Sequence, residues 1–176
     1  MILLIHAHPY PDRSIGGRVL LEAVRDLPEL SVRSLYDLYP DFTIDVQAER
    51  AALLATHLVI WQHPLHWYGP PALMKLWFEK VLTEGWAFGS QRALAGKDCL
   101  WVTTTGGAVD TFTPEGKHRH PFEAFVAPVA QTAQFCGMNF LAPLVVYGSH
   151  RLAPEALQRR AGEYRALLSA YGARSG

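Results

Sequence analysis

Residues 58–71 read Leu58-Val59-Ile60-Trp61-Gln62-His63-Pro64-Leu65-His66-Trp67-Tyr68-Gly69-Pro70-Pro71. The apolar run Leu58 to Trp61 is short and lacks the alternation of a half-exposed strand, so it predicts a strand buried on both faces. Beyond the loop, Leu73, Met74, Trp77, Phe78 and Val81 recur at helical spacing. Gly69, Pro70 and Pro71 fix a turn between the two. A strand that feeds a helix through such a loop is the local unit of an open α/β sheet, which holds its ligand at the carboxyl ends of its strands. Flat rings and imidazoles at that edge suit a planar, polar cofactor better than a phosphorylated sugar alone.

The same unit recurs along the chain. Strands are expected at Ile2 to Ile5, Val32 to Leu35, Leu58 to Trp61, Leu100 to Thr104 and Leu141 to Tyr147. Helical faces lie between and after them: Val19, Leu20, Ala23 and Val24; the Leu73 to Val81 set; Phe122, Phe125, Val126, Val129 and Ala133, with a kink expected at Pro128; and Leu157, Ala161, Tyr164, Leu168 and Tyr171. Alternating strands and helices joined by right-handed crossovers give an α/β three-layer sandwich around a parallel sheet. Five strands favour the flavodoxin-like order 2-1-3-4-5 over the six-stranded dinucleotide fold. No linker, repeat or low-complexity segment interrupts the pattern, so residues 1–176 are expected to form one domain.

Bulk composition agrees. The chain has 176 residues, 49% hydrophobic and 18% charged, which suits a packed globular protein. Its 16 Lys and Arg balance 16 Asp and Glu, so there is no basic footprint for nucleic acid. Met1-Ile2-Leu3-Leu4-Ile5 is too short for the core of a signal peptide, and no run approaches a membrane span. Cys99 and Cys136, isolated in apolar surroundings, are expected as reduced core thiols of a cytoplasmic protein.

Three loops of such a fold share the carboxyl edge of the sheet. The first runs His6-Ala7-His8-Pro9-Tyr10-Pro11-Asp12-Arg13-Ser14-Ile15-Gly16-Gly17 and opens a helix, whose free N–H groups can hold a phosphate without lysine. Ser14 is equally a good N-cap. Neither G-x-x-x-x-G-K-[ST] nor G-x-G-x-x-G occurs, which leaves nucleotide hydrolysis and a standard dinucleotide fingerprint unsupported. In the second loop Leu65, His66, Trp67 and Tyr68 can pack along a ring system, or simply cover the sheet edge. The third, Thr104-Thr105-Gly106-Gly107-Ala108, lets backbone N–H groups approach developing negative charge, although alone it is just a turn.

Histidine pairs at 6 and 8, 63 and 66, and 118 and 120 raise a zinc hydrolase using Asp12 or Asp110. No H-E-x-x-H or dense H-x-H-x-D-H run supports it, and no metal site is expected. His6, ending a core strand, is expected to be a structural histidine with satisfied nitrogens.

Several segments in collinear order carry a more specific signal: Ala7-His8-Pro9-Tyr10-Pro11, Ser34-Leu35-Tyr36, Leu38-Tyr39-Pro40-Asp41-Phe42 with Ile44-Asp45, Trp61-Gln62-His63-Pro64 with Trp67-Tyr68, Leu76-Trp77, Gly85-Trp86-Ala87 and Thr104-Thr105-Gly106-Gly107. As a set they resemble the flavodoxin-like NAD(P)H:quinone oxidoreductases, and most of all the ancillary proteins of bacterial glutathione-regulated potassium-efflux systems. The resemblance implies a bound FMN. His8 with Ser14, Ile15, Gly16 and Gly17 then matches the phosphate and ribityl loop. Leu65, His66, Trp67 and Tyr68, with Thr105, Gly106, Gly107 and Ala108, match the loops around the isoalloxazine ring. The family's proton-handling His matches His118, while Phe112 stands at its Tyr position and Gly17 at a position often held by Asn. On the residues alone, His118 beside Lys117 and Arg119 reads equally as a solvated loop histidine.

The resemblance further implies a ping-pong cycle, in which NADPH or NADH reduces the flavin and a quinone then takes the vacated place. It implies a homodimer, with Trp77, Trp86, Phe88 and Phe112 as candidate interface aromatics. It also implies a membrane potassium-efflux antiporter as partner, which would hold the chain peripherally on the inner membrane. A mainly regulatory, non-catalytic subunit of that antiporter is the alternative. A one-electron flavodoxin carrier is disfavoured because such carriers are strongly acidic and this chain has no net charge.

Overall fold

Side-chain alternation along the strands divides the interior into two cores. In β1 (Ile2–His6) and β3 (Leu58–Pro64), Leu3, Ile5, Val59 and Trp61 enter one buried cluster, while Ile2, Leu4, Leu58 and Ile60 enter the other. Both faces are covered, which is why these strands read as continuous apolar runs rather than alternating ones. The protein was described from a computed structural model, over residues 1–175.

The sheet is parallel throughout, in the order β2-β1-β3-β4 and then β5 with β6, where β2 is Leu30–Ser34, β4 is Asp98–Thr104, β5 is Asn139–Phe140 and β6 is Leu144–Val146. This is the expected flavodoxin-like order. Two helices, α1 (Gly16–Val24) and α6 (Pro154–Ser175), lie together on one face, where Leu20, Val24, Leu157, Tyr164 and Leu168 pack into the cluster shared with Leu4 and Ile60. The other face carries α2 (Leu35–Leu38), α3 (Val46–Leu54), α4 (Ala72–Val81) and α5 (Glu123–Phe135) over Trp61 and Trp101 of the sheet.

Three expectations need correction. The run Leu141 to Tyr147 is not one strand. Asn139–Phe140 (β5) pairs with Asp98 and Cys99, and Leu144–Val146 (β6) pairs with Val102 to Thr104, further along the same edge of β4. Pro143 falls in the gap, where its missing N–H cannot serve the ladder. The second strand ends at Ser34, because Leu35 already starts α2. Trp77 and Phe112 are interior residues, 0% and 5% exposed, so neither is free to form an interface. Helix α5 continues through Pro128, and its Thr132 hydroxyl donates to the Pro128 carbonyl (2.8 Å). Cys99 and Cys136 are buried free thiols, as expected.

One polar cluster ties the second face together. Glu49 of α3 is 0% exposed, yet all its neighbours are donors. Trp77 Nε1 of α4 donates to Oε2 (2.8 Å), while the Tyr39 hydroxyl (2.6 Å) and Arg33 Nε of β2 (2.7 Å) donate to Oε1. Removing the acceptor leaves the buried Trp77 indole N–H unpaired and takes the countercharge from Arg33, a half-buried guanidinium that keeps only the Tyr39 hydroxyl, the situation in which breaking a buried pair is costly. Glu49→Ala is expected to lose about 3–5 kcal/mol of stability in urea unfolding. A loss within experimental error would show that the cluster holds nothing together.

Candidate functional site

Four strand ends meet at one edge because each ladder is prolonged by one bond past its strands. Ala7 N–H donates to the Gln62 carbonyl (3.0 Å), Leu65 N–H to Thr104 (2.9 Å) and Thr105 N–H to Val146 (3.0 Å). The loops that follow form two adjoining clefts of about 290 and 420 Å³. The smaller holds His8, Ser14, Ile15, Gly16, Gly17 and His66, and the larger Trp67, Tyr68, Gly107, Ala108 and His118. Leu65, Thr105 and Gly106 line both. All fourteen residues singled out from the sequence therefore border these clefts.

The smaller cleft is built to receive an anion. Helix α1 begins behind Ile15, which has no capping side chain, so Ser14 is not the N-cap that it resembled. The first N–H groups of a helix have no acceptor within it and carry partial positive charge. Ser14 is buried, and its hydroxyl finds no partner among the described residues. A Cβ on Gly17 would lie 2.7 Å from Ser14 Oγ, so a side chain there would fill the cradle. A Cβ on Gly16 would meet Ser149 Cβ at 2.7 Å, which makes glycine the condition for α1 to approach the loop after β6. Gln62 Nε2 donates to the Gly17 carbonyl (3.0 Å) and fastens this helix end to β3.

The wall of the larger cleft is strained. Residues 66–69 form a turn closed by reciprocal His66 and Gly69 backbone bonds (3.0 Å each), with Trp67 at φ 49 and Tyr68 at φ 66. Bulky residues rarely occupy that region, and such strain concentrates at ligand sites. Trp67 is 95% exposed, while Tyr68 stacks on Phe125 (5.2 Å). The N–H groups of Trp67, Tyr68, Gly106 and Gly107 donate to no acceptor among the described residues. They remain available to a ring edge.

His118 lies flat on Phe112, with ring centroids 4.2 Å apart, and edge-on to Tyr68. Both its ring nitrogens are buried with no hydrogen-bond partner among the described residues, and a Cβ on Gly107 would meet Nε2 at 2.5 Å. It is packed against the cleft wall rather than solvated. His63 is structural: Trp101 Nε1 donates to its Nε2 (3.0 Å), so its Nδ1–H donates to the Pro64 carbonyl (3.0 Å). His6 is buried but makes no hydrogen bond among the described residues, against the expectation of a satisfied ring. No group of three or more His, Cys, Asp or Glu among the described residues is placed to hold a metal.

Several lining residues were not among the candidates from the sequence: Arg13 and Lys117, which flank them, and Ser149, His150 and Arg151 of the loop after β6. The only signal for the last three was Gly148 directly after a strand, in a loop that has neither a Gly-Gly pair nor an aromatic cluster. Among the described residues, no carboxylate lines either cleft.

A family profile described as a flavodoxin-like fold matches residues 1–168. The glutathione-regulated potassium-efflux system ancillary protein KefF of Salmonella newport is 44% identical over 173 residues, 97% of each chain. Among solved structures, general stress protein 14 of Treponema denticola, in complex with FMN, superposes with TM-score 0.90 at 31% identity, over 96% of this chain and 98% of that one. An NADPH-quinone reductase from P. pentosaceus gives TM-score 0.86 at 29% identity, over 94% and 95%.

Burial holds both His63 and His6 down to a pKa of about 4, with His8 adding to the effect on His6. Their depressed values stabilise the fold fully above the unfolded pKa near 6.5, and that contribution is lost as pH falls toward 4. Melting temperature is therefore expected to be level above pH 7 and to fall between pH 6.5 and 5, with about two more protons taken up on unfolding at pH 5 than at pH 8. A flat profile down to pH 5 would contradict the burial of these two neutral rings.

Proposed function

We propose that this chain, which belongs to the flavodoxin-like family, forms over residues 1–176 a single flavin-binding domain that carries out FMN-dependent, two-electron reduction of quinones by NADPH or NADH. The observation that carries the reading is the joined pair of clefts, with an uncapped helix N-terminus at one end and four free backbone N–H groups at the other. Those features fit FMN end to end. Ser14 and the N–H groups of Gly16 and Gly17 would hold the phosphate. Leu65 to Tyr68 and Thr105 to Ala108 would hold the ring. The neighbours named as an FMN complex and as an NADPH-quinone reductase support the cofactor and the electron donor.

When bound, FMN supplies hydride acceptance from the nicotinamide and hydride donation to the quinone. The chain's part is orientation and electrostatics. The free Gly106 and Gly107 N–H groups would stabilise the negative charge of a reduced ring seated beside them, and removing one such donor typically costs about 2.7–4 kcal/mol in comparable sites. Trp67, unpaired and exposed, offers a flat face at the cleft mouth. His118 is the side chain positioned to hold or deliver a proton at a ring nitrogen. Phe112, stacked on it, brings no phenol, and the phenol ring that borders His118 is that of Tyr68.

A second reading has its own support. The 44% identity to a protein named for a potassium-efflux system favours an additional role as the ancillary subunit of a membrane antiporter. No helix among the described residues is long and apolar enough to cross a membrane, so attachment to the inner membrane would run through that partner, from the cytoplasmic side. A homodimer is part of the same reading.

The test is anaerobic turnover of the FMN-loaded chain with NADPH and a soluble naphthoquinone. Activity without released radical is expected, and its absence in flavin-loaded protein would favour the purely regulatory role. His118→Ala is expected to retain the flavin spectrum but to reduce quinone about 10²-fold more slowly. Unchanged turnover would remove His118 from the mechanism.

A further inference from the structure

We infer that His150 and Arg151 form a charge-compensating pair for the reduced flavin, an inference that rests on the reading of the clefts as an FMN site. The residues common to both clefts are Leu65, Thr105, Gly106 and His150. Three come from the loops assigned to the ring. The fourth comes from the loop after β6. With FMN laid across the two clefts, a residue bordering both would stand near the junction of sugar chain and ring, beside the edge of the ring that turns negative on two-electron reduction.

The placement is built, not incidental. Gly148 N–H donates to the Gly107 carbonyl (2.8 Å) and Ser149 N–H to the Thr105 carbonyl (3.0 Å), which clamps this loop onto the Thr-Gly-Gly loop. Arg151 N–H closes the turn on Gly148 (2.8 Å), whose φ of 56 favours glycine. His150 then lies over Gly106, with Cε1 3.6 Å from where a Cβ would be. Arg151 Nε donates to His150 Nε2 (3.2 Å), which leaves the proton of the neutral ring on Nδ1 as a donor backed by a guanidinium.

Charge supports the assignment. The chain is neutral overall, yet the two clefts hold Arg13, Lys117 and Arg151 and no Asp or Glu. Positive charge beside a group that gains negative charge on reduction stabilises its reduced form, and the attraction strengthens as a bound ring excludes water. The arrangement makes the bound flavin easier to reduce.

The experiment measures the two-electron midpoint potential of FMN bound to the wild-type chain and to Arg151→Gln, Arg151→Lys and His150→Gln, by equilibration with reference dyes. Both residues are exposed, so folding is not at risk. The glutamine variants are expected to bind reduced FMN about tenfold less well relative to oxidised FMN, a fall of about 30 mV for a two-electron couple. Arg151→Lys is expected to restore most of it, and the difference is expected to shrink in high salt. Potentials that match the wild type would overturn the assignment. So would a weaker KM for NADPH with no change in potential, which would give the pair to the donor's phosphates instead. A wild-type chain that takes up no FMN would fail earlier and would overturn the flavin reading itself.

Discussion

The parallel register of β1, β3, β4 and β6 is the constraint on which the rest depends. Each strand end is bonded to the next one beyond the ladder proper, through Ala7 and Gln62, Leu65 and Thr104, and Thr105 and Val146. Loops that are distant in sequence are thereby held side by side at one height. The loops can then be short, strained and rich in glycine, since their ends are fixed by a core buried on both faces. Strain at Trp67 and Tyr68 of about 1–3 kcal/mol each persists only where the surroundings over-determine it, and here the reciprocal bonds of His66 and Gly69 do so.

Much of this was legible in the sequence because both-face burial leaves short apolar runs between helical periods. Leu58 to Trp61 and its following helix needed no long-range information, and the strand order followed from the number of units. The split of the last strand was also written in the chain, at Pro143, but a run of apolar residues on either side masked it. Other features were not legible for a physical reason. Glu49 looks like an ordinary helix residue, because the Arg33, Tyr39 and Trp77 that satisfy it come from other elements. Helical spacing placed Trp77 on an apolar face without saying whether that face met the core or a partner.

Within the site, the residues carried by family resemblance and by loop chemistry all border the clefts, whereas His150 and Arg151, which border them too, were missed. Their loop lacks a Gly-Gly pair or an aromatic cluster, and its importance comes from bonds to Gly107 and Thr105 more than forty positions away. The histidines divide in the same way. His63 is explained by Trp101 and Pro64, while His118 keeps two buried nitrogens without partners. A buried polar atom left unsatisfied is costly in a finished interior, so His118 is the one of the two that its own surroundings do not explain.

The most direct test of the account is a titration of flavin-free protein with FMN, followed by quenching of flavin fluorescence and by the visible spectrum. The account predicts saturable uptake of a single FMN by each chain at micromolar concentrations, with a shifted and structured absorption band. FMN that stays fluorescent and unshifted at every protein concentration would contradict it.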